Sequence, residues 1–301
     1  MPQTIESCPL CGSKENSLFN RSTFLDRQIT NRICDYCGLV FQSPRMTDEE
    51  TDEFYKGEYR RMYHQGQERP SEKVLEVQRQ RAAAMRRIVA MKVEKVSRHL
   101  EIGCSAGYLL QALQEQFGCA SVGIEPGNAY RDHAVQQGFK VYPSLAELQE
   151  NKEERFDLIS MSHVLEHLTD PVAYLSELRR SWLNPDGWLF LEVPNLYGHF
   201  SYEVAHLFSF TSHSLEQVIR KAGFRVIQLV KHGQPRSRTI PLYLNVLARP
   251  DAALSQPSPV IPERFVRIKR FLFYTPRTLA DKYYYRFRQL IKRILGLSGK
   301  K

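Results

Sequence analysis

The sequence predicts an α/β protein: a doubly wound, mostly parallel sheet, with a four-cysteine ribbon in front of it and a basic helical tail behind it. Three observations carry that prediction. Short apolar runs alternate with helical patterns between Ser97 and Pro250, two Cys-x-x-Cys pairs fall within the first 45 residues, and twelve Lys/Arg against two acidic residues crowd between Glu263 and Lys301. The expected organisation is a ribbon at 1–45, a helical linker or lid at 46–96, a sheet domain at 97–250, a linker at 251–262 and a tail at 263–301.

With 301 residues, the chain is long enough for about two domains of ~100–200 residues. No stretch approaches the ~18–20 uninterrupted apolar residues of a spanning helix, and the N-terminus lacks the basic-then-apolar run of a secretory signal, so a cytoplasmic protein is expected. In a reducing compartment, paired cysteines point to metal rather than to bridges. The net charge of +9 is concentrated in the tail, which carries +10, so the body is near neutral. A near-neutral body does not suggest a broad nucleic-acid cradle, while the tail asks for an anionic partner, a membrane surface or nucleic acid.

In the ribbon, Cys8-Pro-Leu-Cys11-Gly12 and Cys34-Asp-Tyr-Cys37-Gly38 each set two thiolates on a tight turn whose following glycine lets the backbone curl. Four thiolates at this spacing suit tetrahedral Zn²⁺ with no position left open, hence a structural ion; an iron site is the alternative. Cys104 and Cys119 stand outside this set and read as small buried residues. Next, Thr47–Tyr63 reads as a helix with Thr47 or Asp48 as N-cap. From Ser71 to about Val93, Val74, Val77, Ala84, Met85, Ile88 and Val89 fit a helix that keeps Arg79, Arg81, Arg86 and Arg87 on its wetter side. Strands are expected at His99–Ile102, Ser121–Glu125, Phe156–Met161, Trp188–Val193, Phe224–Lys231 and Pro241–Ala248. Alternation of this kind implies a parallel sheet with its site at the carboxyl ends of the strands.

The first strand, His99-Leu-Glu101-Ile, runs into Gly103-Cys104-Ser105-Ala106-Gly107, a turn whose glycines permit close backbone approach to a ligand. Gly-x-Gly-x-x-Gly is absent, which argues against a dinucleotide. Glu125 ends the next strand, where a carboxylate can accept hydrogen bonds from both hydroxyls of a ribose.

Four blocks follow one another in order: Leu100–Gly107, Val122–Glu125, Phe156–Asp170 with its Ser162-His163-Val164-Leu165-Glu166-His167 core, and Leu183–Asn195. With them, residues 97–250 resemble the class I S-adenosylmethionine-dependent methyltransferases, the Rossmann-like group that includes ubiquinone O-methyltransferases and bacterial glycan- and sugar-modifying enzymes. The resemblance implies S-adenosyl-L-methionine as cofactor, with Glu101 near its methionine amino group, Gly103, Cys104, Ser105, Ala106 and Gly107 wrapped around it, Glu125 on its ribose and Ser162 completing the set. The loop near Leu145, which in relatives contacts adenine, departs from the pattern. A cysteine ribbon ending in Ser-Pro-Arg, here Ser43–Arg45, commonly precedes such domains. The sugar C-methyltransferases of the group carry a further C-terminal domain that this chain is too short to contain, which argues against C-methylation of a nucleotide sugar.

Methyl transfer to a hydroxyl needs an aligned acceptor and a base. His163, after the Phe156–Met161 strand, is the first choice of base, His206 the second, and Tyr197 and Asn195 stand where they can orient substrate. Glu166 and His167 read as supporting groups, one turn into a helix that Pro171 closes.

In the tail, Leu279, Tyr283, Phe287, Leu290 and Ile294 fall at helical spacing beside Lys282, Arg286, Gln289 and Arg293, a basic amphipathic helix. Three readings follow. The favoured one is O-methylation of a glycan or lipid-linked saccharide, or of a small-molecule acceptor, with residues 263–301 on an anionic membrane surface at the inner membrane. The second is an RNA methyltransferase that uses ribbon and tail for phosphate contacts, less favoured because the body is neutral. The third is a non-catalytic scaffold that keeps cofactor binding.

Overall fold

A computed structural model of the chain describes residues 2–24, 26–54, 70–151, 154–199, 201–254 and 259–273. Strand β1 (Asn16–Phe24) pairs antiparallel with β2 (Arg27–Cys34), and β2 with β3 (Val40–Gln42). All three residues of β3 are buried because it is the middle of a larger sheet: Val40 and Phe41 pair on its other side with Ser209 and Phe208, far along the chain. The ribbon sheet is therefore completed by the domain that follows it.

Helix α1 (Asp48–Glu53) starts at Thr47, whose side chain accepts from the Glu50 N–H while the Glu50 carboxylate accepts from the Thr47 N–H. Such a reciprocal cap satisfies two of the four orphan donors of a helix start. The expected continuation to Tyr63 lies outside the described residues. Helix α2 (Glu72–Ala90) packs Ala82, Met85, Ile88 and Val89 against Leu109 and Leu113 of the following helix and against Leu158, Phe190 and Leu247 of the main sheet.

The rest of the chain runs through β4 (Arg98–Ile102), α3 (Tyr108–Phe117), β5 (Ala120–Ile124), α4 (Asn128–Gln136), β6 (Lys140–Tyr142), α5 (Leu145–Glu150), β7 (Phe156–Ser162), α6 (Pro171–Glu177), β8 (Leu183–Pro194), β9 (Phe208–Ser209, the strand that completes the ribbon sheet), α7 (Ser212–Lys221), β10 (Phe224–His232) and β11 (Tyr243–Pro250), and all of these strands but β9 form the main sheet. Its order is β10-β11-β8-β7-β4-β5-β6, parallel except that β11 runs antiparallel to both neighbours. This is a Rossmann-like α/β sheet. The central strands are covered on both faces, so Leu158–Met161, Ser160 included, and Leu189–Leu191 are buried without a break. Between β4 and β7 the winding reverses, and a crevice at their carboxyl ends is the place such sheets offer a ligand.

Two local expectations need correction. Pro171 opens a helix rather than closing one: it stands at the first turn of α6, capped by Asp170 on the Ala173 N–H, and the Glu166 segment is a short 3₁₀ turn, Leu165–His167. Proline suits that place because the N–H it lacks would be unsatisfied there anyway. Strand β6 is an addition, three residues long and only partly buried.

Residues 266–273 are helical. Arg267 donates to the carbonyls of Leu18 and Phe19 and Arg270 to those of Leu196 and His199, so the segment's arginines face the protein. Phe265, Ile268, Phe271 and Leu272 are left more than half exposed. The amphipathic pattern at 279–294 lies outside the described residues, and among those described no helix is long and apolar enough to cross a membrane.

Candidate functional site

At the end of β4 the Gly103 and Cys104 N–H groups donate to the Ile124 carbonyl at 2.8 and 2.9 Å, so the loop turns sharply beside β5. Gly103 has φ +73°, and a Cβ there would meet Val164 Cγ2 at 2.5 Å, which makes glycine obligatory and sets the His163–Val164 segment directly on the loop. Ser105, at φ +49°, is held in the left-handed region by two contacts: its N–H donates to Glu125 Oε2 at 2.9 Å and its Oγ accepts from Gln78 at 3.0 Å. Such backbone strain persists where the surroundings over-determine it. Glu125 Oε1 accepts from the Gly127 N–H at 2.7 Å. Cys104 and Ala106 are buried and Gly107, at φ +84°, starts α3.

Glu101 is 3% exposed, and its Oε2 has no hydrogen-bond donor among the described residues. Burial pushes its carboxyl well above the usual range, the Leu110 N–H opposes this, and the Glu125 charge adds to it. A buried carboxylate oxygen without a donor, next to a glycine loop, fits a cationic ligand group.

On the other side of the crevice, His163 also has φ +56°, its N–H donating to the Glu192 carbonyl at 2.9 Å. Its Nδ1 lies 3.2 Å from Glu166 Oε1 and its Nε2 3.6 Å from Glu192 Oε1. Both carboxylates are essentially inaccessible. Burial and the Arg81 charge work against protonating His163, but the two carboxylates prevail and its pKa is raised. Burial alone would push Glu166 up, yet His163 and the neighbouring His167 and His206 bring it down to about 2. Burial lowers His167 to about 4 and lowers His206 as well.

Glu192 is the hub of this half. It accepts from Asn245 Nδ2 at 2.8 Å and Ser162 Oγ at 3.2 Å, and it lies 3.2 Å from His232 Nε2 and 3.5 Å from Arg81 Nε. Arg81 was expected on the wet side of its helix. It is instead mostly buried, lies over the Tyr243 ring and donates to the Tyr243 hydroxyl at 3.1 Å. Its place i−3, i−4 and i−7 from Ala84, Met85 and Ile88 puts it on the core face, a signal the spacing held. Sequence reasoning also missed His199 and His232, whose rings lie 5.9 and 5.6 Å from that of Tyr243.

Of the sequence-selected residues, Ser162, His163 and His206 come together here with Glu166 and His167. Tyr197 stands elsewhere, its hydroxyl donating to Glu263 at 3.1 Å and its ring stacked on Phe273 at 5.8 Å. Asn195 is buried, bridging the Pro241 carbonyl and the Tyr197 N–H.

In the ribbon, Cys8 Sγ lies 3.5 Å from Cys37 Sγ and Cys11 Sγ 3.5 Å from Cys34 Sγ, and the four sulfurs lie within 4.8 Å of one another. Gly12 and Gly38, at φ +77° and +75°, return their N–H groups to the carbonyls of Cys8 and Cys34. Thiolates on a tetrahedron at ~2.3 Å from a zinc ion stand about 3.8 Å apart, so the cluster fits that ion.

Comparison with known proteins gives the same picture. Residues 62–229 match the family described as "Methyltransferase domain". The chain is 31% identical over 107 residues to a ubiquinone biosynthesis O-methyltransferase of Haemophilus ducreyi, covering 32% of this chain and 44% of that protein. It is 30% identical over 107 residues to the corresponding protein of Actinobacillus pleuropneumoniae serotype 5b. The match spans less than half of those relatives' length. The crystal structure of a Burkholderia thailandensis 1,6-didemethyltoxoflavin-N1-methyltransferase, bound to 1,6-didemethyltoxoflavin and S-adenosylhomocysteine, superposes with a TM-score of 0.55 at 18% identity, covering 76% of this chain and 98% of that one. At that identity the two share a fold.

Proposed function

The chain belongs to the methyltransferase-domain family, and on that premise we propose that it moves the methyl group of S-adenosylmethionine to a hydroxyl of a glycan, a lipid-linked saccharide or another small acceptor, close to an anionic membrane surface. The observation that carries this reading is His163: a strained histidine at the carboxyl end of β7, set against the Gly103 loop through Val164 and flanked by two buried carboxylates. The cofactor, when bound, supplies an electrophilic methyl group on a sulfonium centre. On this reading the orphan carboxylate of Glu101 receives the cofactor's ammonium, the Gly103–Gly107 loop follows its methionine and Glu125 turns toward the ribose. Ser162 borders that site through its hydrogen bond to Glu192.

His163 would take the hydroxyl proton at Nε2, its Nδ1 being turned to Glu166, as the O–C bond forms and the bond from the methyl carbon to the sulfonium sulfur breaks, leaving a neutral thioether. The imidazolium that results is stabilised by Glu166 and Glu192, which lie on opposite sides of the ring. General bases positioned in this way contribute roughly 10²–10⁴-fold. His206, whose pKa burial lowers, borders the acceptor, while Tyr197, bonded to Glu263 away from His163, takes no part in this reading. Oxygen as the methylated atom is supported by the relatives' common name of O-methyltransferase.

Zn²⁺ on Cys8, Cys11, Cys34 and Cys37 is a structural ion in this account. The apolar side chains exposed around residues 265–272, together with the +10 charge of 263–301, support contact with a membrane. The test is transfer of labelled methyl from S-adenosylmethionine to a panel of saccharide, lipid-linked and phenolic acceptors. We expect base-stable ether label with wild type and at least a ~100-fold loss with His163→Ala at unchanged cofactor affinity. An unchanged rate in that variant refutes the assignment of the base.

A further inference from the structure

We propose that Glu166, His167 and His206 form a second metal site, distinct in chemistry from the four cysteines, that binds a borderline divalent transition ion such as Zn²⁺ or Co²⁺. One ligand atom from each of the three residues lies within 4.8 Å of the other two. His167 Nε2 is 3.9 Å and His206 Nε2 4.0 Å from Glu166 Oε1, and the two rings meet edge to face at 4.9 Å.

Three features favour an ion over a plain polar cluster. First, the Glu166 side chain is 1% exposed, and neither of its oxygens has a donor in hydrogen-bonding geometry among the described residues. The His163 ring, 3.2 Å from Oε1, is the nearest group that can balance its charge, and a buried carboxylate so sparsely met can take a further cation. Second, His167 Nδ1 lies 2.9 Å from the Ala205 carbonyl, which can only accept, so Nδ1 carries the proton and Nε2 the lone pair that faces Glu166. A ring N–H donated to a backbone carbonyl is what orients metal-binding histidines. Third, the two segments are fixed to each other, the Leu207 N–H donating to the Glu166 carbonyl at 2.8 Å.

Two imidazoles and one carboxylate are the donor set of open zinc sites, in which three protein ligands leave a position for an oxygen ligand. His206 lines a cavity of about 20 Å³ with Asn195, His199 and Tyr202, room for one water or hydroxyl oxygen. Glu203 Oε2 lies 3.6 Å from His206 Nε2 and either turns aside or joins the ion, and Oε1, the Glu166 oxygen that faces both rings, also lies 3.2 Å from His163 Nδ1, so the ion and His163 would share it. The consequence for chemistry, resting on the methyl-transfer reading, is that an acceptor hydroxyl on the ion would be acidified beside His163.

The test needs neither cofactor nor acceptor, so its failure is separate from any failure of methyl transfer. Full-length protein is stripped with a chelator, reloaded with excess Zn²⁺, desalted and analysed for metal by mass spectrometry, with folding checked by circular dichroism. Two ions per chain are expected for wild type and one for each of Glu166→Gln and His206→Asn. With Co²⁺, the strong thiolate charge-transfer bands of the ribbon should persist in both variants while the second equivalent disappears. One ion per chain in wild type, or two in the folded His206→Asn protein, overturns the proposal.

Discussion

Replacing Glu192 by glutamine keeps the shape of a fully buried side chain and withdraws its charge. The carboxylate now meets Arg81 at 3.5 Å, His232 at 3.2 Å and His163 at 3.6 Å, and accepts from Asn245 at 2.8 Å and Ser162 at 3.2 Å. Removing one partner of a buried ion pair costs roughly 3–5 kcal/mol, because the other charge stays buried without compensation. The glutamine oxygen keeps the Asn245 hydrogen bond and its NH2 faces Ser162 Oγ, a hydroxyl that can accept, so each of these two bonds loses only the excess of charged over neutral partners, about 1 kcal/mol. Glu192→Gln is therefore expected to lose at least about 3 kcal/mol, the lower end of the ion-pair cost alone, in urea denaturation at unchanged m-value. Arg81→Met removes the orphaned cation, and a double-mutant cycle should return a coupling of at least ~1 kcal/mol. Arg81 ties α2 over the carboxyl end of β8 and the amino end of β11, so the coupling also measures how that helix is held. Histidine NMR adds a sign: losing a carboxylate that raises the His163 pKa must lower it. A stability loss below ~1 kcal/mol with no coupling would show that the hub is not an energetic unit.

Other consequences follow from the same geometry. Glu125→Ala removes the acceptor of the Ser105 and Gly127 N–H groups, and cofactor affinity by calorimetry should weaken about 30–100-fold, or ~2–3 kcal/mol; an unchanged Kd would make the ribose assignment wrong. Cys34→Ser should release the ribbon's zinc and lower the melting temperature, since metal binding at such sites is folding free energy; full retention of zinc would refute the four-thiolate set. Asp157 accepts from the Ser97 and Arg98 N–H groups and from Asn184, and although burial opposes it, these donors and the Arg98 charge lower its pKa. A depressed folded-state pKa gives stability that is complete above the unfolded value of about 3.9 and is lost as pH falls through the folded value. The stability difference between wild type and Asp157→Asn should therefore be widest near neutral pH and shrink in acid, and a gap constant down to pH 3 would contradict it.

The sheet, the glycine loop and the cysteine cluster were legible because each rests on local pattern: alternating periods, φ-positive glycines and paired knuckles. The rest depended on what the chain brings together over long separations. Strand β6 has three residues and one buried side chain, too little for periodicity to register. The ribbon's fourth strand is two residues of a distant segment, visible only as the unexplained burial of Val40 and Phe41. His163 was selected from its place after a strand, but its carboxylate Glu192 is supplied by the β7–β8 register, which pairs Ser162 with Glu192. His99 shows the opposite case: it is fully buried between Ser121 and Ser160, burial drops its pKa to about 3, and it is a satisfied core residue. Arg81 was misjudged because its charge outweighed its spacing, although its helical position matched the buried face.

The most direct test of the account is equilibrium binding of S-adenosylmethionine and S-adenosylhomocysteine to the full-length protein, with Glu101→Ala beside wild type. The account predicts one saturable site for both ligands, and a marked loss in the folded variant because an ammonium group loses its buried carboxylate. A folded, zinc-loaded wild-type protein that binds neither ligand would contradict it.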